Sequence, residues 1–145
     1  MKLPEYITVD EVKRVCNELG LRDWTTLSEP SVTEEEAGKV LAEVNPGGMP
    51  VAVEDFRIGL EVELEHGVMY PDSNVTNNHP VLTGMIVMAH FQEALDYYQR
   101  LDVAEIEGDM LKAAARGDQA KLMSKYKKLV EAKKALSEAE NRQLK

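Results

Sequence analysis

The sequence predicts an all-α fold, a small irregular bundle of about six helices that ends in a long basic one. Three observations carry this. Apolar residues recur at spacings of three and four, two segments open with a Thr-x-x-Glu capping box, and no long stretch alternates with period two. Only Met49–Val53 leaves room for a trace of strand.

Each element has its own justification. Thr8 opens the first helix with Glu11 at the capping-box position. Val12, Val15, Cys16 and Leu19 then make one face before Gly20 stops it. Leu21–Pro30 is a connector whose Trp24 is expected to pack down as a core plug. Thr33 and Glu36 repeat the cap, with Ala37, Val40, Leu41 and Val44 as the apolar face, and Asn45-Pro46-Gly47-Gly48 breaks the chain. A third helix starts at Val53 or Glu54 and ends at Gly67. Val68–Asn78 is a polar, turn-rich loop. Pro80 suits the first position of a fourth helix, capped by Asn78 or His79 and running to the neighbourhood of Leu95. Asp96 can cap a fifth helix reaching Ala115. Arg116-Gly117-Asp118 reads as a turn into a last helix that ends near Gln143. That helix carries Leu122, Tyr126, Leu129 and Leu136 as a stripe interrupted by Lys133.

Composition bounds the class. At 145 residues, 43% hydrophobic and 30% charged, the chain can bury a core as one globular unit. The single cysteine, Cys16, excludes an internal disulfide and fits a reducing compartment; its apolar neighbours make it a buried structural thiol. No signal-peptide pattern is visible in Met1–Asp10 and no apolar run approaches a membrane span. The expected location is therefore cytoplasmic, or within a phage particle, with no membrane partner.

The net charge of −9 hides an asymmetry. Residues 116–145 hold nine Lys/Arg against four Asp/Glu, whereas residues 1–115 hold eight against twenty-two. This divides the chain into an acidic helical domain, 1–115, and a basic C-terminal helix, 116–145. That helix either packs on the domain or docks an acidic partner, another copy included, through Lys121, Lys125, Lys128 and Lys134. Nucleic acid is disfavoured as a partner, because the acidic body repels phosphate and the tail has no arginine cluster with interleaved aromatics.

The one constellation that resembles chemistry is a pair of Glu/His sets. Glu63 and His66, like His90 and Glu93, stand three residues apart and so project to one side of a helix. Together they offer four ligands suited to zinc or iron. Against this, an antiparallel hairpin places His66 beside its loop and His90 roughly 15 Å along the axis, at 1.5 Å per residue. The second set also runs His-to-Glu, unlike the Glu-x-x-His of carboxylate-bridged bundles. Structural hydrogen bonding is the preferred reading, with no cofactor, and metal binding with possible enzymatic activity is the alternative. Glu61 and Glu65 read as a solvated face, and Met85, Met88 and Met69 as core filler. No nucleophile elbow, phosphate loop, paired-cysteine spacing or His-Glu-x-x-His occurs.

The pattern Phe56-x-x-Gly59-x-x-x-Glu63-x-Glu65-His66-Gly67, then Asn74-Val75-Thr76, then Ala89-His90-Phe91-x-Glu93-x-x-Asp96-Tyr97-Tyr98-x-Arg100-Leu101 resembles a bacterial and phage family of small helical domains of unknown function. The resemblance spans residues 53–101 and implies a helical fold but no activity or catalytic residue. His79 stands where the family tends to be acidic, which makes it a local cap. Ala94-Leu95 replaces the family's Asp-Pro, which should weaken the break before the fifth helix. Trp24–Val51 and the basic tail read as additions. The expected function is a non-enzymatic structural or interaction protein, a component of a larger assembly such as a phage virion.

Overall fold

A computed structural model describes residues 4–145, so Met1–Leu3 of the segment inspected for a signal peptide lie outside the described residues. Among the described residues the regular structure is entirely helical. The α-helices are α1 (Val9–Leu19), α2 (Glu34–Val44), α3 (Val53–Met69), α4 (Pro80–Glu93), α5 (Tyr97–Ala115) and α6 (Gln119–Gln143), with short 3-10 turns at Trp24–Thr26 and Pro71–Ser73. No helix among them is long and apolar enough to cross a membrane. The trace of strand allowed at Met49–Val53 does not form. Asn45 closes that loop instead, accepting from the Met49 amide at 2.8 Å and donating to its carbonyl at 2.9 Å.

The chain divides into two compact units, Met1–His90 and Phe91–Lys145. In the first, α1 opens on Thr8, whose hydroxyl accepts from the Glu11 amide at 3.2 Å. The Glu11 carboxylate turns to Arg14 at 2.6 Å rather than back to the cap, so this capping box is half formed. The box of α2 is complete: Glu36 N donates to Thr33 Oγ1, and Thr33 N donates to Glu36 Oε2. Gly20, at φ +62°, ends α1, with Leu21 N donating to Cys16 O five residues back at 2.8 Å.

The core of this unit gathers Val12, Cys16, Trp24, Ala37, Val40, Phe56, Leu60, Leu64 and Val87, all essentially inaccessible. Each large apolar side chain so buried contributes about 2–3 kcal/mol. Trp24 is the plug its position suggested. Gly84 sets the approach of α4: a Cβ there would lie 2.7 Å from Val40 Cγ1 of α2 and 3.3 Å from Phe56 Cζ of α3. Of the three methionines expected as filler only Met88 is buried. Met85 and Met69 stand 56% and 60% exposed.

The second unit is a helical hairpin. Gly117, at φ +68°, lets Asp118 N reach Ala113 O at 3.0 Å and Gly117 N reach Ala114 O at 3.0 Å. Asp118 then caps α6 by accepting from the Lys121 amide at 2.9 Å. Ile106, Leu129 and Ala132 form the seam, with Val103 and Met110 packed against it. The stripe read along α6 is therefore rotated. Leu129 and Ala132 face α5 and Ala139 is buried, while Tyr126 stands 53% exposed on the outside. The break before α5 survives the loss of proline: Ala94–Asp96 form a turn in which Tyr97 N donates to Ala94 O at 3.1 Å.

Candidate functional site

The sequence motif resolves first into a knot of asparagines around the end of α3. Asn74 Nδ2 donates to Gly67 O at 3.4 Å and to Asn78 Oδ1 at 3.1 Å, and Asn78 N donates back to Asn74 Oδ1 at 3.2 Å. Gly67 is required by this contact, since a Cβ would lie 2.2 Å from Asn78 Oδ1 and 2.8 Å from Asn74 Cγ. Asn77 and Asn78 both adopt positive φ, 49° and 59°, a conformation asparagine tolerates better than most residues. Their side chains then reach far along the chain. Asn78 Nδ2 donates to Trp24 O at 3.2 Å, and Asn77 Nδ2 donates to Ile7 O and Glu5 Oε1, each at 2.7 Å. The polar loop read from the sequence is thus a junction joining the end of α3, the approach to α1 and the Trp24 turn.

His79 follows in the same loop and is buried. Its Nδ1 accepts from the Leu82 amide at 3.3 Å, making it the N-cap that the sequence suggested. Burial holds its pKa below the ordinary histidine value, against the opposing pull of the nearby Glu11 charge.

The Glu/His sets behave differently from each other. Glu63 Oε1 lies 3.4 Å from His90 Nε2, so α3 and α4 do bring one residue of each set together despite the offset expected of a simple hairpin. His66 is exposed on α3, and Glu93 is exposed at the end of α4. Among the described residues no group of three or more His, Cys, Asp or Glu side chains is placed to hold a metal ion. Glu61, read as solvated, is tied down: it accepts from the Val32 amide at 3.0 Å and from Arg57 Nη1 at 2.6 Å. Cys16 is buried, and burial raises its pKa above the usual thiol value, as befits a structural rather than a reactive cysteine.

The second half of the motif builds the start of α5. Phe91 meets Tyr98 edge-on at 5.5 Å between ring centroids, and Tyr98 meets Tyr97 at 5.2 Å. Asp96 occupies the N-cap position without capping. Its buried carboxylate instead takes two hydrogen bonds from Arg100, at 2.9 and 2.7 Å. Those bonds hold the Asp96 pKa below the usual carboxylate range, with burial opposing.

One buried ionic centre escaped the sequence reading because Glu36 looked like a capping residue only. Its carboxylate, 5% exposed, accepts from Arg22 Nη2 at 2.7 Å, from the Arg22 amide at 3.1 Å, from Trp24 Nε1 at 3.3 Å and from Thr33. Burial alone would raise its pKa; the Arg22 hydrogen bonds and the Thr33 cap outweigh it and bring the value down to about 2. The only sequence signal was an arginine beside the lone tryptophan. An open polar depression of about 360 Å³ lies next to this centre, lined by Arg22, Asp23, Thr26, Ser28, Glu29 and Ser31. Two of its charged side chains are already engaged, Arg22 by Glu36 and Ser31 O and Asp23 by Thr25, while Glu29 stands exposed.

The remaining candidates are the α6 lysines. Lys125 donates to Asp109 of α5 at 2.5 Å and is largely covered. Lys121, Lys128 and Lys134 are exposed, as is Lys127, which the sequence had not singled out. Met123, Tyr126 and Val130 are 58%, 53% and 50% exposed and share one side of α6 at spacings of three and four, away from the α5 seam. Helical spacing places Lys127 and Lys134 on the same side.

The family model described as Protein of unknown function (DUF5661) matches residues 12–107. The chain belongs to this family. The matched span takes in the whole motif, and it includes Trp24–Val51, which had read as an addition; that segment supplies Trp24, Val40 and the Glu36 centre to the fold. The DUF5661 match ends within α5, ahead of α6. No curated protein and no solved structure matches the chain.

Proposed function

We propose that this DUF5661 member is a non-enzymatic helical interaction protein that docks a partner protein through the outward face of α6. The observation that carries the reading is the union of exposed Met123, Tyr126 and Val130 with Lys127 and Lys134 on one side of a helix whose other side is already packed. Apolar side chains with Lys127 and Lys134 beside them, and the exposed acids Glu131 and Glu138 one turn further round, suit a protein surface with an apolar centre and a charged rim. The residues of the family motif support the same division of labour, because Gly67, Asn74, Asp96 and Arg100 bond to one another, to neighbouring side chains or to the backbone rather than converge on open space. In its larger form the reading makes the chain a component of an assembly such as a phage virion, and that part rests on the sequence resemblance alone.

The test places a photo-reactive benzophenone residue at Tyr126 of the full chain, with Glu34 on α2 as the control position. Irradiation in cells producing the chain should give adducts of defined mass from position 126 that fade as salt is raised in extracts. No adduct at 126, or the same adducts from position 34, would overturn the reading.

A further inference from the structure

The fourth helix carries apolar residues on every side. Between Pro80 and Gln92 it contains no Asp, Glu, Lys or Arg, a composition that marks a helix covered all round. One side is covered: Thr83, Gly84, Val87 and Met88 are buried. The other is open, with Met85 56% and Ile86 42% exposed and Ala89 exposed beside them. Glu93, four residues after Ala89, closes that stripe with an exposed acid.

Two open apolar stripes therefore exist on one chain, and the charges nearest them differ in sign. The α4 stripe runs from Met85 to Ala89 and ends in Glu93. The α6 stripe runs from Met123 to Val130 with Lys127 and Lys134 nearest it, and the exposed Glu131 and Glu138 lie one turn away on the outer side of those lysines. At 1.5 Å per residue the α4 stripe covers about 6 Å of helix, or about 12 Å with Glu93 included, and the α6 stripe about 10 Å, so the shorter apolar stripe can lie within the longer one. The surrounding charge agrees, since residues 1–115 are strongly acidic and residues 116–145 basic.

We infer that the occupant of the α4 face is α6 of a second copy of this chain, with Met123, Tyr126 and Val130 packed on Met85, Ile86 and Ala89 and with Lys127 and Lys134 set towards Glu93. This rests on the reading of α6 as a docking face and names its partner. Because the contact joins two different surfaces, each stripe can be disabled separately, and the two defects are complementary in a mixture. A contact between copies also accounts for a helix whose composition is that of a buried element while Met85, Ile86 and Ala89 are exposed.

Sedimentation velocity on the full chain at about 1–100 μM, the range in which a contact of modest area associates, reads this directly. The wild type should show concentration-dependent self-association that weakens between low and high salt. Met85→Glu/Ile86→Glu and Tyr126→Glu/Val130→Glu should each weaken it by about tenfold or more, the loss expected on introducing charge at an apolar contact centre. Glu93→Lys and Lys127→Glu/Lys134→Glu should each associate poorly alone, and the two mixed together should recover association. These are surface positions, and circular dichroism verifies that each variant is folded. A wild type that remains monomeric throughout, or charge-swapped variants that fail to rescue one another, would overturn the second-copy assignment. Adducts at position 126 to a different protein, with a monomeric chain, would overturn it while leaving the docking role of α6 intact. A monomer with no adducts would overturn both.

Discussion

The two units are held together by different chemistry. In Met1–His90, buried and half-buried polar groups bridge segments distant in sequence: Asn77 to Ile7, Asn78 to Trp24, Glu61 to Val32 and Glu36 to Arg22. In Phe91–Lys145, a narrow apolar seam of Ile106, Leu129 and Ala132 joins two helices, and the ion pairs beside it are mostly exposed. The difference matters because a buried polar group without its partner is costly, whereas an exposed ion pair contributes little. Polar residues in the first unit are therefore architectural, and those on the outer face of α6 are available for contact.

The sharpest way to break this comparison is Gly67→Ala. The added methyl group would collide with Asn78 and Asn74 and disrupt the bonds they share, lowering stability by about 3 kcal/mol or more in urea unfolding. A loss below about 0.5 kcal/mol would show that the asparagine knot has no structural role.

Glu36→Gln should come next, at roughly 2–3 kcal/mol, because it removes the charge that Arg22 and Trp24 address in a buried setting. The same centre sets the acid limit. Its folded pKa of about 2 lies below the ordinary 4.5, so its stabilisation is complete above pH 4.5 and is lost as pH falls towards 2. His79 acts at higher pH with the same sign. Its depressed pKa means the unfolded chain takes up the proton first, so stability falls as pH drops below 6.5. His79→Asp should retain the cap and remove that step from the pH profile, and a step that persists would assign it to another group.

In the second unit Arg100→Ala should cost about 1–2 kcal/mol, since it strands the buried Asp96 carboxylate, whereas Glu140→Ala on the same arginine should cost under about 0.5 kcal/mol. Equal effects by thermal unfolding would mean that burial does not distinguish the two bonds. Tyr126→Glu/Val130→Glu should have the smallest effect on the stability of the dilute chain, within about 0.5 kcal/mol.

The sequence revealed the helices because their signals are local. Thr33 with Glu36, Gly20, Gly117 and Pro80 each mark an end within one turn of chain. It also led to His79 as a cap and Cys16 as a buried thiol. It did not reveal the Glu36 centre, whose partner Arg22 is fourteen residues away and reached only through the fold. Periodicity placed Tyr126 in the α6 stripe, but Leu129 and Ala132 make the seam with α5 and leave the tyrosine outward. Met85 looked like filler because it shares a helix with Met88. Which side of an all-apolar helix is covered depends on where Gly84 meets Val40 and Phe56, and no local rule contains that. The Glu63–His90 approach was hidden for the same reason, since it depends on how α3 and α4 cross.

The most direct test of the account compares urea unfolding midpoints of Gly67→Ala and Tyr126→Glu/Val130→Glu with that of the parent chain, all at low protein concentration. The account predicts a large fall for Gly67→Ala and an unmoved midpoint for the α6 variant, which separates residues that build the fold from residues that meet a partner. An unmoved midpoint for Gly67→Ala, or a large fall for the α6 variant, would contradict it.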